Sequence, residues 1–251
     1  PLNESFATYG EYLWVEHKYG PDEAARHLAE DLRTYLQEAA EKREPLIRYE
    51  HKDPTGEDMF DAHSYQKGGR ILHLLRQVVG DEAFRASLKR YLERHALTSV
   101  EVDELRMAFE DVAGQDLQWF FDQYFLAPGH MELTVETAHE AGQLRVRVQQ
   151  TQDRAYMPVY RFPVIVEWAA GGRTERRRVE ISTADTTLRF SGVAQAPDYV
   201  DFDAARWLPG AVAHTREAAA LLALLRAPGA SHAQKASALA ALAATEDAGP
   251  Q

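Results

Sequence analysis

The sequence predicts a multidomain chain of mixed α and β structure in three successive zones: helical, strand-rich, and helical again. Three observations predict it. Apolar residues recur every three or four positions from Leu2 to Tyr124, every second position from Met131 to about Phe202, and every three or four again from Ala213 to Ala244. Pro128-Gly129 and Pro209-Gly210 punctuate the two changes of period. A length of 251 residues suits two domains and part of a third, at about 100–150 residues each. The expected divisions are therefore 1–128, 129–210 and 211–251.

In the first zone Asn3 is the expected cap of a helix running to about Lys18, stopped by Gly20-Pro21. A second helix starts near Asp22, with Ala25, Leu28, Leu32, Tyr35, Leu36 and Ala39 on one stripe. Residues 44–60 hold two prolines and a glycine and read as a loop. A third helix starts near His63 and ends at Gly80; a fourth follows with Asp81 as its expected cap. Shorter helices are expected over 103–113 and 116–124, and the aromatic cluster Trp119, Phe120, Phe121, Tyr124 and Phe125 is expected in the core.

The second zone alternates in the manner of a sheet with one buried face. Met131, Leu133 and Val135 are followed by a turn at Ala141-Gly142 and by Leu144, Val146 and Val148. Residues 162–168, a turn at Gly171-Gly172, and residues 179–181, 186–190 and 199–202 supply further strands. About six short strands in some 75 residues suggest a small antiparallel β-sandwich. The run Arg173–Arg178 is expected on a solvated strand edge. In the third zone two helices, over 213–226 and 232–244, flank Ala227-Pro228-Gly229, with Ser231 as the expected cap of the second. A pair this small cannot bury its apolar stripe alone, so it either docks on the rest of the chain or begins a helical repeat.

Composition excludes several functions. Thirty-nine acidic against 28 basic side chains give a net charge of −11, unfavourable for binding a phosphate backbone, so no nucleic-acid partner is expected. The chain has no cysteine, which removes disulfides, thiol catalysis and thiolate zinc sites. No apolar run approaches the ~20 residues that span a bilayer.

The segments that carry chemistry are Leu2-Asn-Glu-Ser-Phe-Ala-Thr-Tyr9 and His63-Ser-Tyr-Gln-Lys-Gly-Gly69. Taken alone, Glu4 is an acidic residue at a helix start, where it favours the positive end of the helix dipole. Taken alone, Tyr65 is an aromatic entering a core. In order and spacing, however, the two segments resemble the gluzincin aminopeptidases, the aminopeptidase N-like zinc metallopeptidases. The run Phe109–Gly129, with its FFDQ, resembles the end of that family's catalytic domain, and Arg43–Leu46 with Met59–Asp61 resembles its bacterial branch. The resemblance covers about residues 1–130.

The resemblance implies the helical C-terminal half of a thermolysin-like catalytic domain, then the sandwich, then the start of a HEAT- or armadillo-like region. It implies that Glu4 is a zinc ligand beside two histidines of an upstream HExxH helix, and that Tyr65 donates to the oxyanion of the reacting peptide carbonyl. Zinc suits such a set, because it accepts carboxylate oxygen beside imidazole and leaves a position for water. Glu11 lies two turns beyond Glu4 and is a candidate to orient a ligand; an ordinary surface carboxylate is the equal alternative. Lys67 is expected to be solvent-facing or ion-paired, His63 and His73 to partner nearby carboxylates, and Gly68-Gly69 to permit close helix packing.

The sequence departs from the family in one respect. A zinc-peptidase helix needs histidines at i and i+4, and none of the ten histidines has another four residues on. The HExxH is therefore expected upstream of Pro1, in a missing N-terminal half of the same protein, and this chain alone is expected to hold no catalytic zinc and to be inactive. A second departure is Phe60, which stands where the epoxide-hydrolase branch carries another tyrosine, so epoxide chemistry is not expected. The expected function is a zinc-dependent aminopeptidase acting on peptides, the alternative a non-catalytic scaffold relative. Exposed apolar surface is expected on the first zone.

Overall fold

The computed structural model describes residues 1–49, 53 and 55–247, without the side chains of 245–247. The remainder of the expected 44–60 loop, with His51 and Pro54, and the last four residues of the tail lie outside the described residues. Among those described are eight α-helices and seven strands in two small sheets.

Helices α1 (Leu2–Tyr19) and α2 (Pro21–Ala39) are joined at Gly20, whose φ of 93° turns the chain sharply. A π-helical turn, His63–Lys67, runs directly into α3 (Gly68–Val79). Gly80 (φ 87°) then reverses the chain into α4 (Asp81–Arg94). Helices α5 (Val102–Ala113) and α6 (Gln118–Phe121) follow, the last continuing as a second π-helical turn, Asp122–Leu126.

Two expected caps are not caps. Helix α1 starts one residue ahead of Asn3, which puts Asn3 inside the first turn. Asp81 follows Gly80 at the cap position and instead receives both Arg76 Nε and Nη2 at 2.8 Å.

Strands β1 (Glu132–Glu140) and β2 (Gln143–Gln150) form a hairpin across Ala141-Gly142, both at positive φ, the geometry that matches strand twist. Strands β3 (Phe162–Ala170) and β4 (Arg173–Ile181) form the second hairpin. Strands β5 (Asp185–Ser191) and β6 (Tyr199–Phe202) complete the expected set.

The seventh strand, β7 (Ala211–His214), is a correction: residues 213–214 were expected in a helix, yet 211–214 pair in parallel with β1. The four-stranded sheet has the order β5-β2-β1-β7 and is therefore mixed rather than purely antiparallel. The three-stranded sheet has the order β4-β3-β6. Strand β4 is an edge, and Arg173 to Arg178 lie exposed along it, as expected.

The two sheets meet through apolar faces. Val135, Val146 and Val148 of one and Val164, Val166 and Trp168 of the other are buried in a single core, and the Trp168 ring packs at a tilt against Phe190, centroids 4.7 Å apart. The same core continues into the helical zone through Phe120, Phe121, Tyr124 and Phe125, while Trp119 is half-buried beneath Arg161. Buried Arg70 fastens the two zones together, donating to the carbonyls of Leu208 (2.5 Å) and Arg206 (2.9 Å).

Helices α7 (Ala218–Arg226) and α8 (His232–Asp247) dock on this assembly instead of standing free. Ser231 caps α8 as expected: its Oγ accepts Gln234 N–H while Gln234 Oε1 accepts Ser231 N–H. His232 N–H reaches Asp22 at the start of α2 (2.8 Å), and Gln234 is buried against the three-stranded sheet. No helix among the described residues is long and apolar enough to cross a membrane.

Candidate functional site

Small side chains bring the two singled-out segments together. Ser5 is buried, and its Oγ donates to Ser64 O at 2.8 Å. Above it, α1 lies so close to α3 that a Cβ on Gly68 would sit 1.9 Å from Ser5 Oγ, and one on Gly69 would sit 3.1 Å from Thr8 Cγ2. The expected close packing at Gly68-Gly69 is thus present. Glu4 precedes Ser5 and Tyr65 follows Ser64, so this contact sets the two candidates on neighbouring elements.

Glu4 is partly exposed (27%), and its nearest charged neighbour is the Pro1 amino group at 4.0 Å. Tyr65 is half-buried, and its phenol makes no hydrogen bond among the described residues. Glu11 is 70% exposed, faces His27 Nε2 on α2 at 3.8 Å, and has no bond to Glu4 among the described residues. Phe60, before the π-helical turn, is exposed.

The turn that carries Tyr65 is held from several sides. Ser64 Oγ donates to Met59 O (2.6 Å) and accepts Arg48 Nη2 (3.1 Å), and its N–H donates to Asp61 Oδ1 (2.8 Å). Arg48 grips both Asp61 oxygens, at 2.8 and 3.1 Å, and Lys42 adds a third bond at 2.6 Å. Burial works against ionisation of Asp61, but the Arg48 and Lys42 bonds outweigh it and hold the carboxyl down at about 2.

His63 is fully buried and takes a defined tautomer. Its Nε2 accepts Glu44 N–H (3.3 Å), so Nδ1 carries the proton and donates it to Glu38 Oε1 (2.7 Å). The carboxylate partner was expected. For His73 it was not found: its Nδ1 meets Tyr9 OH at 3.3 Å and its Nε2 meets Gln77, because both faces of this buried ring lie against neutral groups of α1 and α3.

Lys67 is a second correction. It is buried, not solvent-facing, and no carboxylate among the described residues pairs with it. It donates to Glu44 O at 2.9 Å over the ring of Tyr35. A spacing of four puts residue 67 on the face of residue 63, which is buried. Burial, then the nearby Arg48 charge, lowers its ammonium to about 7.

Glu38, Asp61 and His63 are the one cluster of three metal-capable side chains among the described residues. Arg48 and Lys42 neutralise its carboxylates and His63 is committed on both ring nitrogens, so it works as an ion-pair network. It does not include Glu4. Among the described residues no histidine joins Glu4 in a cluster of metal-capable side chains. A shallow groove of about 430 Å³ opens beside the start of α1, lined by Leu2, Phe6, Leu88, Tyr91, Leu97 and Val100, with Leu92 and Leu97 exposed on its rim. Exposed apolar surface on the first zone was expected.

Comparison with known proteins bears on the helical zone first. Residues 1–124 match the peptidase family M1 domain. Aminopeptidase N of Lactobacillus delbrueckii subsp. lactis is 34% identical over 151 residues, which is 53% of this chain and 17% of that protein. Probable aminopeptidase 1 of Saccharolobus solfataricus is 28% identical over 169 residues, 66% of this chain and 21% of that protein. The chain thus spans about a fifth of the length of the curated relatives it matches. A crystal structure of Legionella pneumophila aminopeptidase A in complex with aspartic acid superposes with a TM-score of 0.79. It covers 99% of this chain and 28% of that one at 14% identity, a likeness of fold.

Proposed function

We propose, from the premise that residues 1–124 belong to the peptidase family M1 domain, that this chain is part of a zinc-dependent aminopeptidase hydrolysing N-terminal peptide bonds. The observation that carries the reading is the Ser5–Ser64 contact. It sets a partly exposed carboxylate and an unbonded phenol on two touching elements, each next to one of the bonded serines. In this reading residues 1–128 are the helical half of a thermolysin-like catalytic domain, 129–210 a β-sandwich, and 211–251 the start of a HEAT- or armadillo-like region.

Glu4 supplies one oxygen ligand, and two histidines from the missing upstream half of the same protein complete the set. Zinc, when bound, supplies a polarised water at neutral pH. Tyr65 aims its O–H at the carbonyl oxygen where negative charge develops, a donor of the kind worth ~3–4 kcal/mol in the transition state. Glu11 has the smaller part of orienting a ligand from the solvent side.

A zinc titration by calorimetry, with an aminoacyl-anilide assay on the same sample, tests this. The 251-residue chain is expected to show neither a tight site nor turnover. The intact protein is expected to show both, and to lose zinc on Glu4→Gln. Stoichiometric zinc on this chain alone, abolished by Glu4→Ala, would require a different ligand set. An intact protein that binds no zinc and hydrolyses nothing would support a scaffold role instead.

A further inference from the structure

The backbone of Glu44 is held on both sides of its Cα by the turn that carries Tyr65. Its N–H donates to His63 Nε2 (3.3 Å), and its carbonyl accepts Lys67 Nζ (2.9 Å). His63 and Lys67 stand two residues before and two residues after Tyr65. They are four apart on a π-helical turn and share its buried face, which leaves Tyr65, midway between them, on the other side. We propose that His63 and Lys67 are positioning residues for Tyr65: by clamping the two peptides that flank Glu44 Cα, they fix the rotation of the turn and so the direction of the phenol. The proposal rests on the reading of Tyr65 as the oxyanion donor.

Three observations support it. First, Lys67 is 3% exposed and has a carbonyl as its hydrogen-bond acceptor. A buried amino group whose acceptor is a single backbone carbonyl is a costly way to fill space, and an apolar side chain of the same length would fill it at less expense. Second, the clamp reaches beyond the turn. His63 Nδ1 donates to Glu38 Oε1, and Glu38 Oε2 accepts Ala62 N–H at 2.9 Å, which ties the start of the turn to α2. Third, Ser64 and Gly68 are held from the opposite direction by Ser5 of α1. The turn is therefore restrained at residues 62, 63, 64, 67 and 68, while the phenol of Tyr65 has no bond of its own to define its direction. A group with no partner of its own must be aimed by its backbone, and a small rotation there displaces the O–H by enough to matter.

The test compares Lys67→Met with Lys67→Gln, which keeps a shorter donor, each made alone and with Tyr65→Phe in the intact protein. Lys67→Met is expected to lower kcat by about 10–100-fold, the cost of a misplaced catalytic group, with KM and zinc content unchanged. Lys67→Gln should recover part of that loss. In the Tyr65→Phe background Lys67→Met should cost nothing further, because the group it aims is gone. On the 251-residue chain, hydrogen exchange of amides 62–68 should rise in Lys67→Met while the interior of α1 stays protected. An equal kcat loss in both backgrounds, or unchanged exchange at 62–68, would overturn the clamp. If Tyr65→Phe alone left kcat intact, the role of Tyr65 would fail, and the exchange measurement would still decide whether Lys67 orders the turn.

Discussion

Two joints in this molecule do the same mechanical task by opposite means. Where α1 meets the π-helical turn and α3, the contact is made of small groups: Ser5 and Thr8 on one side, Gly68 and Gly69 on the other. Where α8 meets the three-stranded sheet, the contact is made of buried polar groups. Gln234 Nε2 donates to both Glu167 Oε1 and Asp201 Oδ2 at 3.0 Å, and Arg206 and Arg216 hold the remaining charge of Asp201. The first joint fixes distance by leaving no room, and a single added atom disturbs it. The second fixes orientation by hydrogen-bond geometry, and disturbing it means removing a donor. The candidate catalytic residues stand on the joint that has no slack.

Substitutions can sharpen or break that contrast. The largest effect is expected from Tyr65→Phe, which should reduce kcat of the intact enzyme by about 10²–10³-fold. Urea unfolding of the chain should keep its midpoint, because the phenol holds nothing. A falling midpoint would mean that Tyr65 belongs to the joint itself.

Next is Gly68→Ala. Its new Cβ would lie 1.9 Å from Ser5 Oγ and 3.3 Å from Ser5 Cα, so backbone has to give. A loss of about 1–3 kcal/mol in urea unfolding is expected, partly restored by adding Ser5→Gly. No change at all would show that the first joint has slack after all.

A smaller cost, about 1–2 kcal/mol, is expected for Gln234→Leu, which leaves the buried Glu167 and Asp201 short of a donor. Proteolysis should then open α8 before the helical zone. If both zones open together, the two joints are not independent.

The last test is a pH dependence at His130, which packs against Tyr35. Burial, with the Arg43 charge second, holds its pKa down at about 4 against 6.5 for a free imidazole. The unfolded chain binds the extra proton between these values. The contribution is therefore fully present above about pH 6.5 and is lost as pH falls to about 4. His130→Gln should flatten that part of the stability profile, followed by thermal unfolding from pH 7 to 4.

Much of the helical zone was legible because local signals agree with the fold. Gly20-Pro21 and Gly80 mark the breaks, and Leu28, Tyr35 and Ala39 of the expected α2 stripe are buried, whereas Ala25, Leu32 and Leu36 are only partly so. Gly68-Gly69 opposite a helix bearing Ser5 and Thr8 was legible as close packing, although the serine pair itself was missed. Its signal was available: two small residues three apart on α1 facing two glycines. Strand β7 was not legible. Ala-Val-Ala-His precedes an alanine-rich helix and carries no alternation of its own; only pairing with β1 makes it a strand. Lys67 was misjudged for a related reason. Its spacing of four from His63 puts both on one face whether the turn is α- or π-helical, and only the tertiary acceptor, Glu44 O, shows that this face is buried. The roles of Glu4 and Tyr65 came from motif resemblance, since nothing in their individual chemistry separates them from an ordinary helix-start acid and an ordinary half-buried aromatic.

Strand β7 also decides where the chain tolerates a cut. Gly210 lies so close to Met131 that a Cβ there would meet its carbonyl oxygen at 2.3 Å, and the next four residues run beside β1. A chain ended at 210, at the proline-glycine that looks like a domain boundary, would strip β1 of its neighbour and leave an open row of amide and carbonyl groups. Such an edge invites a second molecule to supply the missing strand. Ending instead after His214 would keep that edge covered, so the two truncations, four residues apart, should differ in their tendency to self-associate.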